Sequence, residues 1–440
     1  MKVYFLTLGC RVNQYETDAA RRLFLDNGHV NVETPEEADV CIVNTCSVTG
    51  EADRKSFQML RRMARKNPDA VIVAMGCSTE LKTGEVPADI VIGTREKNTV
   101  VKRVEEFIAS TGKSLEHKIG HVRPEVSKID EYHDFGTVLS PEGTRAFIKI
   151  EDGCNNFCTY CVIPFARGRV VSRSEESCIK EAEFLAASGF KELVVSGIHL
   201  CSYGRDWGKD CSALLNVLKR IDAVPGIERL RLGSLEPKSM TREFISGLKD
   251  LKHLCPHFHM SLQSGSDTVL KRMNRKYTLA EYEDRVNALR TEFPDMSLTT
   301  DIITGFPEET EEEFSETLEF AERLKFAKIH VFPYSEREGT KAASMPQIDM
   351  SIRKDRAKRL IDVSDRLSEE FARSMVGKEA GILIEKIEEK DGKMIAEGYT
   401  ANYVRTFAEL DGCEFNRGDI VKGVIIDASN DNCFLRIIRL

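Results

Sequence analysis

The sequence lacks an apolar run long enough to cross a membrane, and it lacks an excess of positive charge. No stretch reaches the ~18 apolar residues of a spanning helix, so we expect a cytoplasmic protein with no membrane partner. The opening stretch MKVYFLTLGC is only briefly apolar and runs into Arg11, which predicts a buried strand and not a signal peptide. Because the net charge is -8, any contact with nucleic acid depends on local basic faces.

A fourth cysteine is missing from the compact cysteine motif of the chain. The stretch EDGCNNFCTYCVIP places Cys154, Cys158 and Cys161 at the spacing C-x3-C-x2-C. A four-iron cluster normally takes four thiolates, and a structural zinc site takes four ligands. The chain has 13 cysteines, and without an export signal that number favours metal binding or redox chemistry over disulfides. The motif therefore leaves one position for something other than cysteine.

Apolar runs alternate with helical patterns over most of the chain, which predicts an α/β protein. Four strand candidates (KVYFLTLG, ADVCIVNTC, DAVIVAMGC and ADIVIGT) predict an open, flavodoxin-like parallel sheet in residues 1–112. Residues 113–144 have the Gly, Pro and charge content of a linker. Six more strand candidates predict a partial or complete (β/α) barrel in residues 145–376. Short alternating strands in residues 377–440 predict a small β-barrel.

Three further cysteines share one kind of position. Cys10, Cys46 and Cys77 each lie at or just past the carboxyl end of a predicted parallel strand. Ligands bind at that edge of open α/β sheets, so we expect the three thiols to meet. Cys201 and Cys211 are left open, and five further cysteines are instead expected to be small buried apolar residues. These are Cys41, Cys178, Cys255, Cys413 and Cys433.

The C-x3-C-x2-C motif, with Tyr160 before its last cysteine, closely resembles that of the radical S-adenosylmethionine (SAM) enzymes. The resemblance implies that Cys154, Cys158 and Cys161 bind a [4Fe–4S] cluster whose open iron takes the amino and carboxylate groups of SAM. An electron delivered there would release methionine and a 5′-deoxyadenosyl radical. The stretches LGCRVNQYET, VNTCSVTGEADRKS and MGC are similar to the methylthiotransferases, which implies a second [4Fe–4S] cluster on Cys10, Cys46 and Cys77. The stretches GYTANYVRTF and RGDIVKG are similar to the TRAM domain, an RNA-binding β-barrel.

The residues after Cys10 indicate a branch of that family. CRVNQYET resembles the branch that adds a methylthio group to carbon 2 of N6-threonylcarbamoyladenosine at position 37 of tRNA. Two alternatives stay open: the same chemistry on isopentenyladenosine, whose branch typically shows CxMNxxDS, and a non-catalytic iron–sulfur RNA-binding protein. The implied partners are the tRNA anticodon stem-loop, a sulfur donor and a reductant such as flavodoxin or ferredoxin. One departure is Ser78-Thr79-Glu80 after Cys77, where the family usually shows a YAQ-like triplet.

The resemblance also implies polar residues at the rim of the barrel. Ser196 and Gly197 would approach the methionine amino group of SAM, and Ser234 and Glu236 would face its ribose or methionine moiety. The remaining candidates at the rim and mouth are Gln263, Arg275, Phe332, Tyr334 and Arg337.

Two surfaces are candidates for RNA binding. At 100° per residue, six basic side chains of one predicted helix fall within an arc of about 140°, opposite Phe57, Leu60 and Met63. This basic stripe predicts either a phosphate-binding face or an ordinary solvated surface; it consists of Arg54, Lys55, Arg61, Arg62, Arg65 and Lys66. In the last domain, Tyr403 and Arg405 are candidates within a mixed cluster suited to single-stranded loops, although its aromatics fit a folded core equally well. The cluster also contains Tyr399, Asn402 and Phe407.

Overall fold

The computed structural model describes residues 1–82, 84–111, 131–138, 143–410, 412 and 414–438. Most of the predicted linker, and Cys413, lie outside these residues. Among the described helices, none is long and apolar enough to cross a bilayer.

The first part of the chain is a five-stranded parallel sheet with helices on both faces. Its elements are β1 (Lys2–Thr7), α1 (Arg11–Asp26), β2 (Val30–Asn31), β3 (Val40–Thr45), α2 (Gly50–Lys66), β4 (Val71–Gly76), α3 (Cys77–Leu81), β5 (Ile90–Ile92) and α4 (Val100–Thr111). The strand order is β2-β1-β3-β4-β5, and every neighbouring pair is parallel. This is the flavodoxin-like order, so the predicted sheet is confirmed. The sequence pattern missed β2, which has only two residues.

Helix α2 forms where the sequence provides both of its ends. The side chain of Thr49 accepts a hydrogen bond from the backbone nitrogen of Ala52 at 3.1 Å, which caps the first turn. Acidic residues lie in that first turn and basic residues in the last, where each favours the helix dipole. Leu60 and Met63 are buried, so the apolar side of the helix packs on the sheet.

The central part is a six-stranded parallel partial barrel. Its elements are β6 (Arg145–Lys149), β7 (Glu151–Asp152), α5 (Ile163–Arg167), β8 (Val171–Ser172), α6 (Glu175–Ala187), β9 (Glu192–Ser196), α7 (Ser212–Asp222), β10 (Arg229–Leu232), α8 (Arg242–Leu248), β11 (His257–His259), α9 (Asp267–Arg272), α10 (Leu279–Glu292), β12 (Ser297–Thr304), α11 (Glu311–Leu324), β13 (Lys328–Pro333) and α12 (Met350–Ser374). Ladders join β10-β9-β6 and β11-β12-β13, and single bridges such as Leu230 to Leu254 connect the two halves. Within the described residues no ladder joins β6 to β13, so the barrel is partial.

The barrel strands alternate apolar and polar residues. Leu193, Leu230, Phe258 and Leu298 point toward the helices and belong to the largest apolar core of the protein. The intervening positions face the lumen and are largely polar. A polar lumen suits a site that receives a charged or hydrogen-bonding substrate.

The last part is a closed five-stranded barrel with its own apolar core. Its strands are β14 (Glu379–Lys390), β15 (Lys393–Thr400), β16 (Arg405–Glu409), β17 (Ile420–Ser429) and β18 (Asn432–Ile437). They close in the order β14-β15-β16-β18-β17 around residues such as Ile382, Val421 and Leu435. The predicted small β-barrel is therefore confirmed.

Candidate active site

The C-x3-C-x2-C loop follows β6 and β7 and gathers three thiols, Cys154, Cys158 and Cys161, here called the loop triad. Gly153 has a φ of +81°, and a Cβ there would lie 2.1 Å from the carbonyl oxygen of Arg169, so only glycine fits before Cys154. The backbone nitrogen of Cys161 donates to the carbonyl of Cys158 at 3.0 Å. Burial raises the pKa of Cys154 to about 11 and that of Cys161 to about 12, so without a metal these thiols are protonated, and metal binding must displace their protons.

Two of the predicted rim residues, Arg275 and Glu236, lie beside this loop. Arg275 donates from Nη1 to Sγ of Cys158 at 3.4 Å and from Nη2 to Oε2 of Glu236 at 3.0 Å. The same carboxylate oxygen lies 3.3 Å from Nε2 of His199, a residue that the sequence reasoning missed. Burial disfavours the Glu236 charge, but the contacts with His199 and Arg275 hold its pKa below the usual value. This arrangement keeps a carboxylate and a guanidinium beside the loop triad.

A buried carboxyl group with an unpartnered oxygen lies next to Gly197. A Cβ at Gly197 would lie 2.1 Å from Oε1 of Glu151, so the glycine leaves room for that side chain. Glu151 is fully buried, and burial raises its pKa to about 8. Its Oε2 atom has no hydrogen-bond partner among the described residues. A buried carboxyl oxygen without a partner fits the amino group of a bound SAM, whose positive charge would favour the ionised, accepting form of Glu151.

The other predicted rim residues have more varied positions. Ser196 is buried and donates to the carbonyl of Ile148, whereas Ser234 is exposed toward the barrel lumen. Gln263 has a φ of +73° and joins β12 through its backbone. Tyr160 packs edge-on against Phe306 at 6.4 Å between ring centres. At the mouth, Phe332 is exposed, and Tyr334 and Arg337 are buried.

The remaining predicted thiols, Cys10, Cys46 and Cys77, converge at the carboxyl edge of the sheet and are here called the sheet triad. Cys10 precedes α1, Cys46 follows β3, and Cys77 begins α3. Gly9 has a φ of +106°, and a Cβ there would lie 2.7 Å from Sγ of Cys46, so the turn before Cys10 requires glycine. Cys46 and Cys77 are buried and Cys10 is exposed. A strand-order switch between β1 and β3 is where such a sheet binds ligands.

Ser78, one of the residues that departs from the usual triplet, links the sheet triad to the barrel. Its hydroxyl, which has one proton to donate, lies 2.5 Å from the carbonyl oxygen of Cys46 and also within hydrogen-bond distance of the Asp53 carboxylate. The other oxygen of Asp53 accepts from Nη2 of Arg337 at 2.8 Å. A tyrosine at this position could not reproduce the same short contacts, so the departure changes how α3 is held.

A buried charge cluster fixes the two triads relative to each other. Arg167, at the end of α5, donates to Glu16 on α1 at 2.8 Å and to Asp152 at 3.1 Å. Lys149 donates to the same two carboxylates at 2.7 and 2.6 Å, and Lys97 pairs with Glu16. The side chains of Glu16, Lys97 and Arg167 are at most 1 % exposed. The cluster therefore joins the sheet to the barrel through charges that water does not reach.

Two cavities lie where the three parts of the molecule meet. The lumen cavity, about 500 Å³, is lined by inward residues of the barrel and by Arg11. The junction cavity, about 790 Å³, is lined by Arg11, Arg145, Phe147 and residues of the last barrel. On the wall of the lumen, His259, Asp301 and His330 place their ligand atoms within 4.8 Å of one another, a geometry that could hold a divalent cation.

The two RNA-binding candidates have different surroundings. All six residues of the basic stripe are exposed on α2, and only Lys66 forms an ion pair with a described residue, Glu36, at 2.6 Å. Tyr403 instead lies at the base of the central barrel, with its ring centre 4.6 Å from the Arg231 guanidinium carbon and 5.0 Å from the His257 ring.

The rest of the mixed cluster in the last barrel does not form one surface. Tyr399 stacks on Tyr403, and Asn402 is buried against the central barrel. Arg405 is exposed, pairs with Glu397 at 2.7 Å and lies over Phe407. Tyr403 and Asn402 thus serve an interdomain contact, while RNA binding by Tyr403 and Arg405 stays a prediction.

Comparisons with known proteins agree with this geometry. Residues 148–321 match the Radical SAM superfamily, and residues 2–93 match an uncharacterized protein family, UPF0004. The radical SAM methyltransferase TsrM from Kitasatospora setae has a similar fold, with a TM-score of 0.57 and 16% identity over 78% of this chain and 75% of that chain.

Curated relatives match over nearly the full length. The threonylcarbamoyladenosine tRNA methylthiotransferase MtaB of Bacillus subtilis is 40% identical over 99% of this chain and 97% of its own length. That of Aquifex aeolicus is 40% identical over 91% of this chain and 95% of its own. The tRNA-2-methylthio-N(6)-dimethylallyladenosine synthase of Acetivibrio thermocellus is 32% identical over 92% of this chain and 85% of its own. With this similarity and two cysteine triads at one domain junction, the chain belongs to the radical SAM tRNA methylthiotransferase family.

Proposed function

We propose that this protein adds a methylthio group to carbon 2 of N6-threonylcarbamoyladenosine at position 37 of tRNA. The observation that carries the proposal is the 40% identity with two proteins named for threonylcarbamoyladenosine, along almost the whole chain. Relatives named for dimethylallyladenosine are 32–34% identical, which keeps an isopentenyl-type substrate as the second candidate.

Enzymes of this family use SAM and two [4Fe–4S] clusters, and the residues present fit all three groups. Each triad offers three thiolates, which leaves one iron of a four-iron cluster without a cysteine. When bound, these groups supply one-electron chemistry, which an unactivated aromatic carbon such as carbon 2 of adenine requires. We assign the SAM-binding cluster to the loop triad and the auxiliary cluster to the sheet triad.

The protein's own residues bind and orient the reacting groups. Glu236, Arg275 and the orphaned oxygen of Glu151 lie near the loop triad and would hold the polar groups of SAM. The buried charge cluster of Glu16, Arg167 and their partners fixes the sheet triad beside the barrel. A fixed spacing matters because transfer between two sites requires both to reach the same base.

The basic stripe on α2 is the proposed contact with the phosphates of the anticodon stem-loop. Five of its six cations have no ion pair in the described part of the chain, so they are available to nucleic acid. The reaction also needs a sulfur donor and a reductant such as flavodoxin or ferredoxin. We propose that the protein acts in the cytoplasm. In this scheme the auxiliary cluster belongs to residues 1–112, SAM binding to residues 145–376 and RNA binding to residues 377–440. Residues 113–144 are the proposed linker between the first two of these parts.

Nucleoside analysis of tRNA tests the proposal directly. We expect tRNA from a deletion strain to lack the 2-methylthio derivative of N6-threonylcarbamoyladenosine and to regain it when the gene is restored. The isopentenyladenosine derivatives should not change. Loss of the isopentenyl derivative instead would establish the second candidate, and no change in either would refute both.

A further inference from the structure

Arg11 is an exposed cation at the point where the sheet meets the barrel. It directly follows Cys10 of the sheet triad and is the first residue of α1. Its guanidinium carbon lies 5.3 Å from the centre of the Phe147 ring on β6. It lines both the lumen cavity and the junction cavity. Within the described part of the chain, its guanidinium has no hydrogen bond or ion pair.

The other charges around these cavities are already engaged. Arg231 donates to Glu192 at 2.7 Å, and Arg417 has a partner of its own. Each carboxylate at the cavities has a basic partner: Glu385 pairs with Arg145, Glu397 with Arg405 at 2.7 Å, and Asp431 with Lys328 at 3.5 Å, while Asp301 on the lumen wall lies 3.2 Å from Nε2 of His259. Arg11 therefore leaves an uncompensated positive charge facing both cavities. The first turn of α1 contains no acidic residue, so its free N–H groups add to that charge.

We infer that Arg11 binds the carboxylate at the end of the N6 substituent of the target adenine. This inference rests on the proposed function, because a threonylcarbamoyl group ends in a carboxylate that is ionised at neutral pH, whereas an isopentenyl group is uncharged. In adenine, carbon 2 and carbon 6 flank the same ring nitrogen, N1, and carbon 6 bears the exocyclic nitrogen N6. The substituent on N6 therefore lies near the edge that includes carbon 2. A base whose carbon 2 approaches the sheet triad therefore brings its substituent toward the residue after Cys10.

The chemistry of arginine suits this role. A guanidinium presents paired N–H donors that match the two oxygens of a carboxylate. The Phe147 ring lies against the guanidinium, and no described residue accepts a hydrogen bond from its N–H groups, so they are available to a ligand. An uncharged substituent would leave the guanidinium without a partner, so Arg11 favours the acidic nucleoside over the apolar one.

Binding of synthetic anticodon stem-loops tests the inference. The matched pair carries either N6-threonylcarbamoyladenosine or its carboxyl methyl ester, which removes the negative charge and keeps the rest of the group. We expect the wild-type protein, with its iron–sulfur clusters reconstituted anaerobically, to bind the acid about tenfold to a hundredfold more tightly than the ester, the range for one hydrogen bond to a charged group. Arg11→Gln should remove this preference, and Arg11→Lys should retain part of it.

A control variant and a third, unmodified stem-loop distinguish carboxylate binding from phosphate binding. Arg22→Gln removes an exposed cation from the far end of α1, where it pairs with Asp26, and should keep the full preference for the acid. If Arg11 instead contacts an RNA phosphate, Arg11→Gln would weaken acid, ester and unmodified stem-loops equally, which would overturn the inference. The iron content of each variant checks that it is folded. The comparison of acid with ester on the wild-type protein tests carboxylate binding without any variant.

The inference and the proposed function fail in different ways. Equal wild-type affinity for acid and ester, together with methylthio transfer to N6-threonylcarbamoyladenosine, would refute the role of Arg11 and leave the proposed function intact. Methylthio transfer to isopentenyladenosine and not to the threonylcarbamoyl nucleoside would refute the proposed function itself.

Discussion

Replacing Glu16 with glutamine tests whether the buried charge cluster holds the sheet against the barrel. Glu16 is 1 % exposed and lies between three cations, Arg167, Lys149 and Lys97. In the Glu16→Gln variant Arg167 and Lys149 would share one carboxylate, Asp152, and Lys97 would keep only the side-chain oxygen of Asn44 among its described partners. Removing one partner of a buried ion pair costs about 3–5 kcal/mol, because the remaining charges stay buried without compensation. We expect a loss of about 3 kcal/mol, since the glutamine oxygen still accepts one hydrogen bond.

Anaerobic urea unfolding measures this loss. With a slope of about 3 kcal/mol per molar urea, a loss of about 3 kcal/mol lowers the midpoint by about 1 M. Glu105→Gln is the matched control, because Glu105 is an exposed carboxylate beside His29 and should shift the midpoint little. Adding Lys149→Met to Glu16→Gln removes one excess cation and should restore part of the stability. If Glu16→Gln behaves like Glu105→Gln, the cluster does not hold the two parts together.

Four further outcomes are expected. The pKa of Glu16 is held well below its usual value by Arg167, Lys149 and Lys97 despite burial. Its contribution to the free energy of unfolding is therefore present above the ordinary carboxyl range and is lost as the pH falls through the lowered pKa. The difference in stability between wild type and Glu16→Gln should narrow in acid, and a difference that widens there would contradict the assignment. Reconstituted wild type should hold about eight irons per chain. Changing all three loop-triad cysteines to alanine should leave about four irons and abolish SAM cleavage. An unchanged iron content would refute the ligand assignment. Changing the sheet triad Cys10, Cys46 and Cys77 to alanine should also leave about four irons and should preserve SAM cleavage but end methylthio formation; continued methylthio formation would refute the division of roles. Replacing Arg61, Arg62 and Arg65 with alanine should weaken tRNA binding. The slope of the logarithm of the binding constant against the logarithm of salt concentration should become shallower by roughly 0.9 for each phosphate that the variant no longer neutralises. An unchanged affinity would make the basic stripe an ordinary solvated surface.

The sequence predicted the sheet and barrels because their signals are local. Apolar strands separated by helices indicate parallel α/β structure, and parallel strands bring their carboxyl ends to one edge. That rule places Cys10, Cys46 and Cys77 together although they are far apart along the chain, as the structure shows. Strand β2 was missed because two residues carry no periodic signal.

The buried charge cluster could not be predicted, because its members look like ordinary surface residues. Glu16, Lys97, Lys149 and Arg167 lie on separate elements, and only the docking of sheet on barrel removes them from water. Tyr403 shows the opposite difficulty. An aromatic residue in a polar stretch is typical of a base-stacking site, but here its ring packs on His257 and Arg231 of the central barrel. Sequence patterns do not distinguish stacking on a base from stacking on another domain.

Methylthio transfer by the purified protein tests the central claim most directly. The reconstituted protein is incubated anaerobically with SAM, dithionite, a sulfide source and an anticodon stem-loop that carries N6-threonylcarbamoyladenosine, with an isopentenyladenosine stem-loop in parallel. Nucleosides are then measured by mass spectrometry. We predict the 2-methylthio derivative of N6-threonylcarbamoyladenosine, formed much faster than that of isopentenyladenosine. Cleavage of SAM without methylthio product on the threonylcarbamoyl stem-loop, or product on the isopentenyl stem-loop alone, would contradict the account.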